Sequence, residues 1–407
     1  MNRSFDIVVA GGGVSGVAAA VAAARCGAST LLVEKDGFLG GAGYSGLFQY
    51  ICGLYLNGDA FPAKTLNEGI VREIAERLNK LSPQKMIKKI GLVYVLPYSR
   101  EDLLSVFNSL CYNEPDLTVL QNRTVVSVEK KGGEITEVAV NFSGSVQRIF
   151  PNVVIDCSGS GAVSAMAGAS FELSPPEKIQ LAGYTIQIKG IKSMDETLSV
   201  KVAYYLAEGV RKNILRRHIK FSAFSPGDGP GEGYLKMSIE GADDTLREKK
   251  AGEGASMAHC YLSGAIPAFK DSYIAGASLR VMDREGRRVC GEYTLTEEDV
   301  VTARKFDDGV VKNSWPIEIW DKDKGTVYKY VKHGYYYEIP LRCLNVRGIS
   351  NLLCAGRCIS VSSEALASTR VMGTCMALGE QAGLAAAYKV KNGIYPECVK
   401  GSLHKNT

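Results

Sequence analysis

The stretch that most constrains this chain is its first 34 residues. Phe5 to Ala10 reads F-D-I-V-V-A, an apolar run with β-branched character. It leads directly into Gly11-Gly12-Gly13-Val14-Ser15-Gly16, which fits G-x-G-x-x-G. Val17 to Arg25 is alanine-rich, with high helix propensity, and Gly27 stands where a helix C-terminal glycine belongs. A second apolar run, Ser29 to Val33, stops at Glu34. Strand, glycine turn, helix, strand and terminal acid in this order form the unit that binds dinucleotides. Gly11 permits the tight turn, Gly13 lets backbone approach a pyrophosphate, and Gly16 lets the helix lie close on the strand. Val14 and Ser15 sit in the same turn, where free helix N–H groups attract phosphate. Glu34 lies 34 − 11 = 23 positions after Gly11, near the roughly 20 expected for an acid that binds a ribose hydroxyl.

The spacing alone is weak, because Gly41-Ala42-Gly43-Tyr44-Ser45-Gly46 matches it too. No apolar strand precedes this second match and no apolar helical run follows it, so a nucleotide role of its own is not expected. The glycine-dense segment Lys35 to Gly46 still suits backbone crowded against a flat ligand, which makes Lys35, Gly40 and Gly41 candidate contacts.

A chain of 407 residues has room for two or three domains and a large core. Its formal charge of +5 is small for that size and its basic residues are scattered, so no nucleic-acid partner is expected. Eleven cysteines, an odd number with no C-x-x-C pair, suit free thiols in a reducing compartment. No signal-peptide core and no membrane-spanning apolar stretch are evident, so a cytoplasmic location without membrane contact is expected. His218, His259, His333 and His404 show no metal spacing, and no metal is expected.

Along the chain, the pattern predicts helices over Ala63–Lys80 and Arg100–Tyr112 and a short strand over Leu92–Leu96. Strands follow over Leu117–Gln121, Thr124–Lys130, Glu134–Asn141 and Val146–Phe150, with Gly132-Gly133 as a hairpin turn. Asn152 to Gly161 reads as a strand returning to the opening sheet, and a short helix begins at Ala162. From about Phe171 to Leu344 the texture changes: a strand over Ala182–Ile188, a helix over Leu198–Ala207 and a Thr296-capped helix reaching Val311. The tail returns to the opening style, with a strand and turn in Gly348–Arg357 and an apolar helix over Gly373–Val390.

Three segments carry a family resemblance. They are the opening fingerprint through Glu34 and Gly40-Gly41, V-I-D-C-S-G at Val154 to Gly159, and the tail from Tyr336 to Ala387. That tail contains Y-Y-E-I-P-L-R-C-L, N-L-L-C-A-G-R-C-I-S and E-A-L-A-S-T-R-V-M-G-T-C-M-A-L-G-E-Q-A-G. The chain resembles the FAD-dependent oxidoreductases of the glutathione-reductase (GR2-type) superfamily, distantly related to fumarate reductase flavoproteins. The resemblance implies an α/β fold. A Rossmann-like FAD-binding domain would be built from both chain ends, residues 1–170 plus 345–407, with an α+β substrate domain of residues 171–344 inserted between them.

It also implies where non-covalent FAD lies. Gly11, Gly13, Gly16 and Glu34 would meet the adenosine end, with Val126 flanking the adenine. Gly159 would belong to the turn near the dinucleotide, and Gly356 and Arg357 would approach the ribityl-phosphate region. The helix beginning near Gly373 and Thr374 would aim its positive end at the flavin and stabilise the reduced form.

On the substrate side the candidates are Arg370, Glu364, Tyr337 and Glu338, with Tyr337 and Trp320 expected to line the pocket. Arg370, just ahead of the last helix, can hold a carboxylate or a developing enolate, and Glu364 could serve as a base. Relatives often carry a His in S-x-x-H-E-A where this chain has Ser363, so a His acid or base is not carried over. The expected activity is hydride transfer between a small organic substrate and the flavin, as dehydrogenation or C=C reduction. The substrate is a small molecule for which an anionic group is one option, and the electron acceptor is left open. Alternatives on the same fold are a non-catalytic binding protein and an FAD-dependent RNA-modifying enzyme.

Overall fold

The computed structural model describes residues 3–142, 144–240 and 246–396. His404 and Cys398 lie outside these residues. Four elements open the chain as the pattern predicts: a strand Arg3–Ala10, a helix Val14–Arg25, a strand Thr30–Val33 and, later, a helix Arg100–Tyr112. The central sheet sets strands in the order Leu117–Leu120, Thr30–Val33, Arg3–Ala10, Ser145–Asp156, with each neighbouring pair parallel. Leu352–Cys354, from the far end of the chain, adds a further parallel strand beside Val154–Asp156. Strands that run nearly uninterrupted through Ile7, Val8, Val9, Leu31 and Leu32 are buried on both faces, as parallel strands must be.

The segments expected as two strands on either side of Pro151 form one, Ser145–Asp156. One edge of it pairs with Arg3–Ala10. The other edge pairs first with Glu134–Phe142, up to Ile149, and then with Leu352–Cys354 from Val154 onward. Pro151 falls in the interval that neither neighbour on that edge occupies, where a missing N–H is tolerated. Glu134–Phe142 pairs antiparallel with Val125–Lys131 across the predicted Gly132-Gly133 turn, whose φ values are +61° and +83°.

The helix Met372–Asn392 lies directly on the helix Val14–Arg25. A Cβ on Gly379 would stand 2.0 Å from the Ser15 carbonyl oxygen, and one on Gly383 would stand 2.2 Å from that of Ala19. The two backbones therefore touch, and glycine alone fits at both positions. This contact joins the two ends of the chain.

Between them lies a four-stranded antiparallel sheet, in the order Ala223–Pro226, Gly233–Ile239, Ala182–Lys189, Tyr273–Ala277. With helices Leu198–Arg211 and Arg247–Ala265 it closes a separate core of Ile186, Val202, Leu235, Ala255 and Phe269. Leu295, Val311, Ile317 and Ile339 instead share the core of Ile7, Val17 and Ala385. The segment expected to belong wholly to the insertion thus packs in two places.

Two predicted helices are shorter than the pattern suggests. Thr296 does cap, in a reciprocal pair with Asp299, but the helix is only Glu297–Val301. Ala303 turns left-handed at φ +55°, and Gly309–Asn313 becomes a strand paired with Tyr337–Pro340. The first amphipathic helix begins at Ile70, not near Ala63. Gly69 has φ +71°, and the carboxylate of Glu380 accepts the Ile70 N–H at 2.9 Å.

Candidate functional site

The opening turn has the geometry that a phosphate cradle needs. A Cβ on Gly11 would lie 2.5 Å from the Cys157 carbonyl oxygen, and one on Gly16 would lie 1.7 Å from that of Gly11. These two glycines exist for close backbone packing. Gly13 is different: no atom lies within 4 Å of where its Cβ would be. It begins the helix Val14–Arg25, whose first turn has no side-chain cap and no acid. The N–H groups there are left for an anion in the open space above Gly13.

Glu34 is buried at the end of its strand. One carboxylate oxygen accepts the Gly12 N–H at 2.5 Å and the other accepts the Asp36 N–H at 2.7 Å. Burial pushes its pKa up, while these two bonds pull it down. A carboxylate has about four acceptor positions, so two remain for ribose hydroxyls. Gly40 donates to the Gly12 carbonyl at 2.8 Å, and a Cβ on Gly41 would lie 3.0 Å from the Gly13 Cα. The second glycine cluster is therefore stitched onto the first. Gly43 packs against Leu103, Met372 and Val14, in keeping with the expectation that this match has no ligand of its own. Lys35 is exposed beside Glu34, and Val126 is exposed on its strand.

The acid of V-I-D-C-S-G organises its own turn. Asp156 accepts the N–H groups of Ser158 and Ser164 and the Ser164 hydroxyl, at 2.8 to 3.1 Å. Arg357 donates from Nε to the Gly159 carbonyl at 2.8 Å and from Nη1 to that of Asp283, tying this turn to the inserted segment. Gly356, at φ +88°, presses against Ser15, where a Cβ would lie 2.7 Å from Oγ.

At the start of the last helix, the Gly373 N–H donates to the Cys52 carbonyl at 2.9 Å. A Cβ on Gly373 would lie 2.7 Å from the Gly53 carbonyl carbon. Gly373 is therefore a close-approach position with its N–H already bonded, not a free donor as expected from the sequence. Thr374 is fully buried, and its hydroxyl has no partner among the described residues. The open space at Gly13, the uncapped helix, the spare acceptor positions of Glu34 and the orphaned Thr374 hydroxyl all fit a dinucleotide stretched between the two helix ends.

The substrate-side candidates separate. Arg370 donates from Nη1 to Gln180 Oε1 at 3.1 Å and to the Arg284 carbonyl at 2.8 Å, and from Nη2 to the Glu318 carbonyl at 2.8 Å. It does not stand alone. The Arg284 guanidinium lies 3.9 Å from the Trp320 ring centroid and the Lys236 Nζ lies 4.4 Å from it. Desolvation first, and then the neighbouring cations, depress the pKa of Arg284, and of Lys236 to about 8; desolvation also depresses Arg370. Glu318 accepts from Trp320 Nε1 at 3.1 Å and supplies a counter-charge. Cys52, whose carbonyl touches the last helix, is near enough for the charges of Glu318 and Lys236 to act on its thiol.

Tyr337 is not in this group. It is completely buried, and its hydroxyl is bonded to Asn313 Nδ2 and Ser368 Oγ, both at 2.7 Å. Such a phenol, its pKa pushed up by burial, serves the core behind helix Ser363–Thr369. Glu364 lies in the first turn of that helix, where a carboxylate suits the dipole. Ser363, at the position where relatives carry a His, donates to the buried Glu285 at 3.0 Å. Glu285 also accepts the Gln180 N–H at 2.8 Å and faces Arg288 at 3.9 Å. Glu338 is likewise committed, accepting the Phe306 N–H at 3.0 Å.

Lys236, Arg284, Gln180 and Glu318 carry no motif. One signal was present: in Tyr234-Leu235-Lys236-Met237 the strand period puts Leu235 and Met237 in the core and Lys236 on the opposite face. What that face meets depends on segments more than 40 residues away in sequence, such as the loop that carries Arg284 (284 − 236 = 48).

A parallel sheet with a dinucleotide cradle at its first turn and a helix end from the far terminus facing the same region defines a two-part dinucleotide-binding enzyme fold. The chain belongs to the FAD dependent oxidoreductase family, whose model matches residues 6–406. It is an FAD-dependent oxidoreductase enzyme with a Rossmann-like fold. No curated protein matches it.

Among solved structures it is similar to a geranylgeranyl bacteriochlorophyll reductase-like protein from Thermoplasma acidophilum. The identity is 11% and the TM-score 0.50, over 100% of this chain and 83% of that one. It is also similar to the flavin-dependent brominase Bmp2, at 13% identity and TM-score 0.52, over 99% and 82%. A third is CabE, an aromatic hydroxylase from angucycline biosynthesis, at 12% identity and TM-score 0.54, over 98% and 65%. At these identities the likeness concerns the fold. Among the described residues, no helix is long and apolar enough to cross a membrane.

Proposed function

We propose that this oxidoreductase transfers a hydride between a small organic substrate and FAD, by dehydrogenation or C=C reduction, and that the substrate binds through a negatively charged or carbonyl group. The observation that carries the reading is the placement of Arg370. It stands two residues before Met372, where the last helix begins, with Arg284, Lys236 and Trp320 assembled around it. Gly13, Glu34 and the helix Val14–Arg25 would hold the dinucleotide at one end, with Thr374 at the other. When bound, the flavin supplies a two-electron acceptor or donor.

The chain's own residues do the rest. The Arg370 fork is fixed by three hydrogen bonds, so a substrate group meeting it is oriented without reorganisation. Trp320, 5% exposed, keeps water from that side. The test is anaerobic mixing of the yellow holoprotein with a panel of small organic compounds. Bleaching by one class of them, slowed when the oxidised carbon carries deuterium, is the expected result. Reduction by nicotinamide cofactors alone, with oxygen then inserted into an aromatic compound, would replace hydride transfer by hydroxylation.

A further inference from the structure

Three cations meet around Trp320, and they come from three separate parts of the chain. Lys236 lies on the strand Gly233–Ile239, Arg284 on the segment leading back to the central sheet, and Arg370 just before the last helix. Their positive charges repel one another. Glu318 is the carboxylate that opposes all three; Arg370 also feels Glu285, which faces Arg288, and the further cation Arg357, so cations still outnumber carboxylates here. Desolvated like charges are costly unless an anion joins them.

The hydrogen bonds point the same way. Arg370 and Arg284 have carbonyl acceptors, Arg284 through Leu181. Lys236 Nζ has only the Trp320 ring, with no hydrogen-bond acceptor among the described residues. Gln180, 4% exposed, supplies an independent sign. Its Oε1 accepts from Arg370 at 3.1 Å and from the Trp320 N–H at 3.2 Å, which fixes the orientation of the amide. Its Nε2 is then buried with no partner. A buried donor of this kind costs free energy until an acceptor arrives.

We propose that Lys236, Arg284 and the Gln180 amide form, with Arg370, a recognition site for a substrate carboxylate, Lys236 being the residue that determines this specificity. The proposal rests on the reading of this region as the substrate side of the flavin enzyme, and it deepens that reading by naming the chemical class. Lys236 offers an ammonium with free N–H donors, Gln180 an N–H₂ edge, and Arg284 a fixed charge against the ring. Since Lys236 is charged below about pH 8 and neutral above it, with Arg284, Arg370, Glu318 and Cys52 as its charged and ionisable neighbours, affinity for an anion should fall as pH rises through that value.

The holoprotein is titrated with malonate, with the uncharged malonamide and with inorganic phosphate, following the flavin absorbance and the melting temperature. Malonate is expected to perturb the spectrum and raise the melting temperature, and malonamide to do neither. Lys236→Met should weaken malonate at least about tenfold at pH 7 and remove the loss of affinity above pH 8, while Lys236→Arg keeps the affinity without the pH dependence. Stronger binding of phosphate than of malonate, with the same dependence on Lys236, overturns the carboxylate assignment. Absence of anion binding, together with a shift in flavin potential in Lys236→Met, overturns the site itself and gives these cations to the cofactor. Anion binding is read without turnover, so malonate binding in a protein that no organic compound bleaches would leave the site standing and discard hydride transfer.

Discussion

Glu380 projects from the last helix and caps another one, and replacing it by Gln isolates a single buried charge. Its side chain, 5% exposed, accepts the Ile70 N–H at 2.9 Å, and Gly69 has no side chain because a Cβ would lie 1.9 Å from the same oxygen. Burial raises its pKa from 4.5 to about 7, against the opposing pull of the Ile70 and Val71 N–H groups. A pKa raised on folding means that the folded protein holds the proton more tightly than the unfolded chain. The stabilising contribution is therefore complete below pH 4.5 and is lost as pH climbs from there to about 7. At about 1.4 kcal/mol per pH unit, the loss across that window is on the order of 3 kcal/mol. Glu380→Gln keeps an oxygen for Ile70 but has no proton to release. Urea unfolding of both proteins at pH 5 and pH 8 measures the difference, in which all other titrations cancel. The wild type should lose about 3 kcal/mol more than the variant between those conditions. Equal losses in the two proteins would refute the assignment of the buried proton to Glu380.

Gly13→Val should leave the fold intact, since Gly13 has φ −69° and open space at its Cβ, but should abolish FAD retention; FAD released on heating, per mole of protein, checks this, and retained FAD would contradict it. Gly43→Val should do the reverse. A Cβ there would already lie 2.8 Å from Leu103 and 3.1 Å from the Met372 sulfur, so melting should show a loss of about 1–3 kcal/mol while FAD stays near stoichiometric. Arg370→Lys keeps the charge but cannot serve Gln180, Arg284 and Glu318 together. It should keep FAD and cost turnover on the order of 1–3 kcal/mol, read as kcat/KM once a substrate is found; full activity would remove Arg370 from the site.

What was legible in the sequence is what depends on neighbours along the chain. The opening unit, Glu34 and the last helix follow from apolar period, glycine and helix propensity, and each stands where these place it. Thr296 was readable as a cap for the same reason, yet the length of its helix was not, because the strand Gly309–Asn313 is held by Tyr337–Pro340, outside any local window. Tyr337 shows a further limit. Its polar hydroxyl in a family-specific tail suggested a pocket, but its partners Asn313 and Ser368 are 24 and 31 residues away and only the fold brings them to it. Lys236 and Arg284 were invisible for the converse reason. Single cations on a strand and a loop look like solvated surface until Trp320 and Arg370 are packed against them.

The site's two halves are held in register by backbone, and this explains why the glycines cluster where they do. Gly379 and Gly383 let the last helix touch the carbonyls of Ser15 and Ala19 on the helix Val14–Arg25, so no side chain lies between them to repack. Gly373 fixes the start of the same helix against Cys52 and Gly53. Arg370 then extends the chain of contacts outward, bonding the carbonyls of Arg284 and Glu318 and the amide of Gln180. Arg370 thus takes its position from the start of that helix, through hydrogen bonds to two backbone carbonyls and one side-chain amide. Lys236 reaches the group from the inserted sheet itself, whereas Arg370 meets the insertion through Gln180 and Arg284. On the proposed function, Arg370 would therefore orient the substrate, and selection would fall to Lys236, which the insertion brings.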